Sequence, residues 1–261
     1  MSGLVDRLKQ LAYETWLHPR HLSLAQRKRA LARFEPSVTG NLLDVGCGRK
    51  PYKSLFGQTS SYIGIDLPGS MHGIQEVDVL ASALALPFSS NSFDAVLCVE
   101  VLEHTTDPSA SIVELTRVLC GAGVLLLTAP LDAPLHEEPY DYFRFTKYGL
   151  ALLIEQAGLK MSRILPLGGT WLSLGHKLSG FLYRTLGART GLRGEQIPRL
   201  VLGPIVSMIC AVIQVAAVGL ESIWFEEAGT MGYAILAQKP VPAAESRTSS
   251  RIGMHERNTD D

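Results

Sequence analysis

The sequence predicts an α/β fold, a mostly parallel sheet with helices on both faces. Three observations predict it. Between positions 38 and 127, short apolar runs alternate with helical stretches, as strand–helix–strand units do. The run Leu42-Leu43-Asp44-Val45 passes straight into Gly46-Cys47-Gly48, a buried strand that ends in a glycine turn. At 261 residues the chain can bury the core of one such domain and still carry an insertion.

Taken in order, residues 1–37 read as an N-terminal helical segment. Leu4, Leu8, Leu11 and Ala12 share one face, and a second helical run carries Arg27-Lys28-Arg29 up to Phe34. That basic run is either a solvated face or an attraction for anionic lipid or an acidic substrate. Strands are expected at 42–45, 62–66, 95–99 and 123–129, with a third-strand candidate at 74–79. Asp107-Pro108 reads as a helix start, the Asp capping and the Pro in the first turn. A helix is expected over 147–157, capped by Thr146 and stopped by Gly158. Strands at 159–166 and 231–239 follow, separated by an apolar helical insertion over 167–230. The polar tail 240–261 reads as disordered.

The formal net charge of −1 gives no field to attract nucleic acid. Cys47, Cys98, Cys120 and Cys210 are scattered and read as buried thiols, not as disulfides or a metal site. The start of the sequence lacks the apolar core of a signal peptide, so a cytoplasmic protein is expected.

The glycine turn narrows the ligand. A dinucleotide cradle would place a third Gly at 51, where Pro51 stands. Asp44 would repel phosphate and attract an amine. A nucleoside without a pyrophosphate fits both. Asn91-Ser92-Phe93-Asp94-Ala95-Val96-Leu97-Cys98-Val99-Glu100-Val101-Leu102-Glu103-His104, the turn Leu86-Pro87-Phe88, and Arg117-Val118-Leu119-Cys120-Gly121-Ala122-Gly123 continue the pattern. In that order, and with the Asp44–Gly48 turn, these segments resemble class I S-adenosylmethionine-dependent methyltransferases of the type 11 kind, over roughly residues 38 to 166.

The resemblance implies a Rossmann-like seven-stranded sheet, its last two strands antiparallel at the edge, and S-adenosylmethionine as cofactor. It implies cofactor contacts at Asp44 (the ammonium group), Gly46, Cys47 and Gly48, at Asp66 (the ribose hydroxyls) and Leu67, and at Glu100, which stands near the acceptor and is also a catalytic candidate. Asp44 could instead cap the turn, and Asp66 could be an ordinary loop carboxylate. Near the adenine the family often has an acidic residue where Ser82 stands; Ala83 backbone lies beside it, and Asp78 could take over or simply end the third strand. His104 is a structural hydrogen-bond partner or a base. The stretch His136 to Thr146 looks like the H-x-x-P-x-D-Y-x-R-x-T segment of methyltransferases of bacterial glycan and lipid biosynthesis. His136 is then the first candidate for general base, and Tyr140, Asp141, Tyr142 and Arg144 shape the acceptor pocket, unless Arg144 merely pairs with Asp141 or Glu138. Methyl transfer from a sulfonium needs no metal, and no ligand cluster stands at metal spacing.

The expected activity is therefore methylation of a sugar, lipid-linked glycan or isoprenoid-like oxygen. Carbon or nitrogen methylation of a quinone or small aromatic is the alternative, and an inactive binding protein a third. Positions 201–220 hold no charged residue, enough to span a bilayer as a helix. Strands of one sheet on either side argue against a single span. A helix starting near Pro204 that packs as core, lies in the membrane interface, or meets a second copy as a homodimer are the three homes for it. Peripheral contact with the inner membrane face through 167–225 follows from the second.

Overall fold

A computed structural model describes residues 15–187 and 197–241. The expectations for Leu4 to Ala12 and for most of the tail lie outside the described residues. The strands β1 (Asn41–Val45), β2 (Ser61–Asp66), β3 (Val79–Leu80), β4 (Phe93–Val99), β5 (Leu119–Pro130), β6 (Lys160–Pro166) and β7 (Gly232–Gln238) form one seven-stranded sheet in the order β3-β2-β1-β4-β5-β7-β6. β1 to β5 pair in parallel, and β7 runs antiparallel between β5 and β6. This is the Rossmann-like architecture expected from the sequence.

Successive strand residues alternate between two cores, as the period of two requires. On one face Leu43, Val45, Val96, Leu125 and Leu127 pack with Ile112 and Leu115 of α2 (Pro108–Val118) and Leu150 and Ile154 of α3 (Lys147–Gln156). On the other, Leu42, Ala95, Leu97 and Leu126 pack with Leu31 and Phe34 of α1 (His21–Phe34). Each such side chain contributes about 1.5–3 kcal/mol of burial. Asp107 accepts from the Ala110 N–H at 2.9 Å and caps α2. Thr146 does the same for α3 through Gly149, at 3.1 Å. Gly158, at φ +77°, ends α3.

Three local expectations are corrected. The third strand has only two residues, because the segment before it turns at Gly73, φ +83°. β5 begins at Leu119 and runs through the expected glycine turn, whose Ala122 N–H and Gly123 carbonyl both bond to Lys239. The long apolar helix α5 (Ile197–Ile223) starts before Pro204 and contains it. An interior proline costs one backbone hydrogen bond, which a helix of this length can carry.

α5 packs antiparallel on α4 (Thr170–Leu182) through a stripe of Val206, Cys210, Gln214 and Ala217. The helices approach so closely that a Cβ on Gly175 would lie 2.5 Å from that of Ala217. Gln214 donates to the Trp16 carbonyl at 2.8 Å, and His176 Nδ1 lies 3.0 Å from that of Pro19, fixing the pair to the segment before α1. The opposite side of α5 is not core. Of its apolar window only 22% is buried, and Met208, Val212 and Val215 are exposed. The helix is long and apolar enough to cross a membrane. Yet β6 and β7, which flank the α4–α5 hairpin in sequence, are paired side by side, so a single crossing by α5 is excluded.

Candidate active site

The strands of a parallel sheet deliver their loops to the C-terminal edge, where ligands bind in such folds. Here those loops, α1 and α4 enclose one open cleft of about 1550 Å³. At its base is the turn after β1. Gly46 has φ +69°, and a Cβ there would meet Val101 Cγ2 at 2.3 Å; Gly48 has φ +49°. Only glycine fits Gly46 on both counts, and the bare backbone faces the cleft. Asp66, at the end of β2, receives the Gly48 N–H on Oδ2 at 2.9 Å and the Leu67 N–H on Oδ1 at 2.7 Å. Both oxygens are thus held in place, and each keeps lone pairs for a vicinal diol.

Asp44 is buried at the end of β1 and lines the cleft. The Tyr62 hydroxyl donates to its Oδ2 at 2.5 Å. Burial pushes its carboxyl up to about 7, despite that hydrogen bond and the Lys50 charge. Cys47 lines the turn with a thiol pushed up to about 12 by burial, so it is inert. Ser82 and Ala83 line the cleft after β3, where the Ser82 hydroxyl accepts from the Leu84 N–H at 3.2 Å. Asp78 is a correction. It lies outside the cleft lining, receives the Gly64 N–H at 2.7 Å and pairs with Lys50 at 2.6 Å. Through Oδ2 it braces the glycine turn from below, away from the cleft lining.

Glu100 follows β4 with φ +55°, a conformation costing a glutamate about 1–3 kcal/mol. Its backbone N–H donates to the Thr128 carbonyl at 3.1 Å, and its carboxylate accepts from Thr128 Oγ1 at 2.9 Å and from Arg27 at 3.1 Å. This identifies Glu100 as a cleft-wall anchor, not an open base. Arg27 also donates to Ser23 at 2.9 Å. The sequence left Arg27 as part of a solvated face or an attraction for anionic lipid or an acidic substrate; it points into the cleft wall, where its partner Glu100, 73 positions away, lies.

The far side of the cleft is formed by the loop after β5 and the turn after β4. His104 and His136 line it, their rings 4.8 Å apart and edge to face. Tyr140 and Tyr142 stand exposed at the rim. Asp141 and Arg144 do not reach the cleft lining, a second correction. Arg144 grips both Asp141 oxygens at 2.7 and 2.8 Å and donates to the Ala133 and Pro134 carbonyls. The pair holds the loop in shape, and it holds the Asp141 carboxyl well below the usual carboxylate range. Asp141 in turn receives the His136 backbone N–H at 2.9 Å. The structure adds residues the sequence did not single out as site residues: Tyr62 under Asp44, Tyr52 and Arg27 in the wall, Lys177 from α4 and Tyr183 just after it, and Glu103. The buried Glu103 lies with His104 and His136 in a group whose ligand atoms are within 4.8 Å of one another, a clustering that no sequence spacing announces.

Fold and site are those of an α/β protein whose strand-end loops enclose one continuous open cleft. Residues 43–127 match the methyltransferase domain family. The chain is 32% identical over 120 residues to an uncharacterized protein of Methanocaldococcus jannaschii, covering 44% of this chain and 52% of that one. It is 29% identical over 167 residues to a demethylmenaquinone methyltransferase of Staphylococcus saprophyticus, covering 56% and 66%. It therefore spans about half to two thirds of the length of these relatives. A SAM dependent methyltransferase from Archaeoglobus fulgidus shares the fold at a TM-score of 0.51 and 20% identity, over 88% of this chain and 99% of that one. Residues 43–127 therefore form a methyltransferase domain, and S-adenosylmethionine is the cofactor that such a domain implies. The residues present fit it: a side-chain-free turn at Gly46, a pre-aligned carboxylate at Asp66 and a buried carboxyl at Asp44.

Proposed function

We propose that the protein methylates a hydroxyl oxygen of a sugar, lipid-linked glycan or isoprenoid-like acceptor at a membrane surface. The observation that carries this reading is the continuity of the cleft. At about 1550 Å³ it exceeds the roughly 300–1,000 Å³ of a single small-ligand pocket, and it joins the Asp66 turn to the His104–His136 pair. The bound cofactor supplies an electrophilic methyl on a sulfonium. Gly46, Gly48 and Asp66 would hold its nucleoside and Asp44 its ammonium. His136 Nδ1 lies 3.1 Å from the Pro134 carbonyl, which can only accept, so Nδ1 carries the proton. Nε2 is then the nitrogen left to take the acceptor's hydroxyl proton.

Calorimetry with S-adenosylmethionine tests the first half: a folded protein that does not bind it overturns the reading. For the second, His136→Ala is expected to lower turnover about 10²–10⁴-fold on hydroxylated isoprenoid and glycolipid acceptors, with cofactor affinity unchanged. Equal turnover in the variant removes His136 from the chemistry. The likeness to the demethylmenaquinone methyltransferase favours a second reading, ring methylation of a quinone. Methylated product analysis distinguishes the two.

The membrane part rests on the exposed side of α5. A surface of Met208, Val212, Val215 and the following Trp224 and Phe225 matches the apolar face of an interfacial helix. Wild type is expected to float with anionic liposomes, and a Val212→Glu, Val215→Glu variant to stay in the soluble fraction. Equal partitioning of both proteins counts against a lipid-facing α5.

A further inference from the structure

We propose that Glu103, His104 and His136 bind one divalent cation of the zinc and manganese class, open to the acceptor side of the cleft. Glu103 is fully buried in the short turn Leu102–His104, and neither of its carboxylate oxygens has a hydrogen-bond partner among the described residues. Buried carboxylates are almost always satisfied, because desolvating one without a partner is strongly unfavourable. Protonation would not remove the anomaly, since the acid O–H would still lack an acceptor. His104 Nε2 lies 3.9 Å from its Oε1.

Both histidines are arranged as ligands. His104 Nδ1 lies 2.8 Å from the Tyr140 carbonyl, and His136 Nδ1 lies 3.1 Å from the Pro134 carbonyl and 3.4 Å from Asp141 Oδ2. Carbonyls only accept, so each Nδ1 carries hydrogen and each Nε2 presents its lone pair. Metal-bound imidazoles are oriented in this way, by a carbonyl or carboxylate on the far nitrogen. The Arg144–Asp141 clamp therefore acts as an outer support for His136. The three ligand atoms lie within 4.8 Å of one another. A cation at about 2.0–2.2 Å from each would draw them together by about 1 Å. Two imidazoles and one carboxylate suit zinc or manganese better than magnesium or calcium, which take mainly oxygen. Glu100 does not compete, being committed to Arg27 and Thr128.

This deepens the reading of the site given above and rests on it for its purpose, though not for cation binding itself. With the cation present, His136 is a ligand, and an acceptor hydroxyl on the open position loses its proton to solvent more readily. The hydroxyl oxygen then supplies the electron pair of the new O–C bond, and the pair of the broken S–C bond stays on sulfur.

The test uses the chelator-treated full chain, titrated with ZnCl2 and with MnCl2 by calorimetry, and with Co²⁺ by visible absorption. One equivalent is expected to bind, with Co²⁺ bands of a low-coordinate nitrogen–oxygen site. Glu103→Gln, His104→Ala and His136→Ala should each weaken binding by about 10–100-fold, as loss of a ligand or its support does. Circular dichroism and S-adenosylmethionine titration accompany each variant; if Glu103→Gln does not fold, the two histidine variants carry the test. A protein that binds S-adenosylmethionine but takes up no cation overturns the proposal, as does uptake indifferent to all three substitutions. Cation binding without S-adenosylmethionine binding would instead remove the methyltransferase reading and leave this site standing.

Discussion

Asp66→Ala is expected to lower the affinity for S-adenosylmethionine by about 10²–10⁴-fold. Two hydrogen bonds from ribose hydroxyls to an ionised carboxylate contribute about 1.5–3 kcal/mol each. The loss is steep because Asp66 is prepared in advance: the Gly48 and Leu67 amides fix both of its oxygens before any ligand arrives. The same bonds mean that the substitution loosens the glycine turn. Calorimetry and a thermal melt should therefore be read together. A fall in melting temperature with unchanged affinity would show a carboxylate that only supports the turn, and would end its assignment to the ribose.

The second large effect is on pH. In the free protein burial pushes Asp44 up to about 7 from its ordinary value of 3.8. A carboxyl raised by folding favours the folded state when protonated. Its contribution is fully present below pH 3.8 and is lost as pH rises through about 7. A ligand ammonium beside it reverses the preference and ionises it. Affinity for S-adenosylmethionine should accordingly rise from pH 5 to about 7, each binding event releasing a proton near pH 6. The rise should flatten at about pH 8, where an α-amino group itself deprotonates. Calorimetry in two buffers of different ionisation enthalpy measures the released proton. Asp44→Asn should bind about tenfold or more weakly and lose the pH dependence, since an amide cannot ionise. Affinity constant between pH 5 and 7 in the wild type would show that Asp44 does not meet the ammonium.

The sheet was legible in the sequence because β1, β4, β5 and β7 are apolar runs and β1 closes in a glycine turn, local signals. The turn at Gly46 and Asp66 at a strand end belong to the same class. What was not legible depends on contacts across the chain. Arg27 reads as one of three surface cations until Glu100 is folded against it, 73 positions on. Glu103 stands in the turn after the fourth strand, and nothing local says that both its oxygens end up buried without partners among the described residues. Asp78 was misplaced because its alternatives differ only in which way the short β3 turns its side chain. For Arg144 the sequence left open the acceptor pocket or a pair with Asp141 or Glu138, and at three positions apart Asp141 and Arg144 do satisfy each other. The apolar stretch of α5 was legible as a helix, but the exposure of its outer side was not. Composition alone cannot separate a core helix from a lipid-facing one.

The position of β7 governs the order in which the molecule can be completed during synthesis. β7 lies between β5 and β6 yet is made after both, beyond the whole α4–α5 hairpin. Until it emerges, β5 presents an unpaired edge, and an open edge is a template for other chains. The Gln214–Trp16 contact, which fixes the hairpin near the entrance, must close a loop spanning 198 positions, so it too forms late. A nascent chain stalled between Pro166 and Gly232 therefore already holds its glycine turn but lacks a sealed sheet. The ribosome-bound form is the state of this protein most exposed to aggregation and most in need of a chaperone.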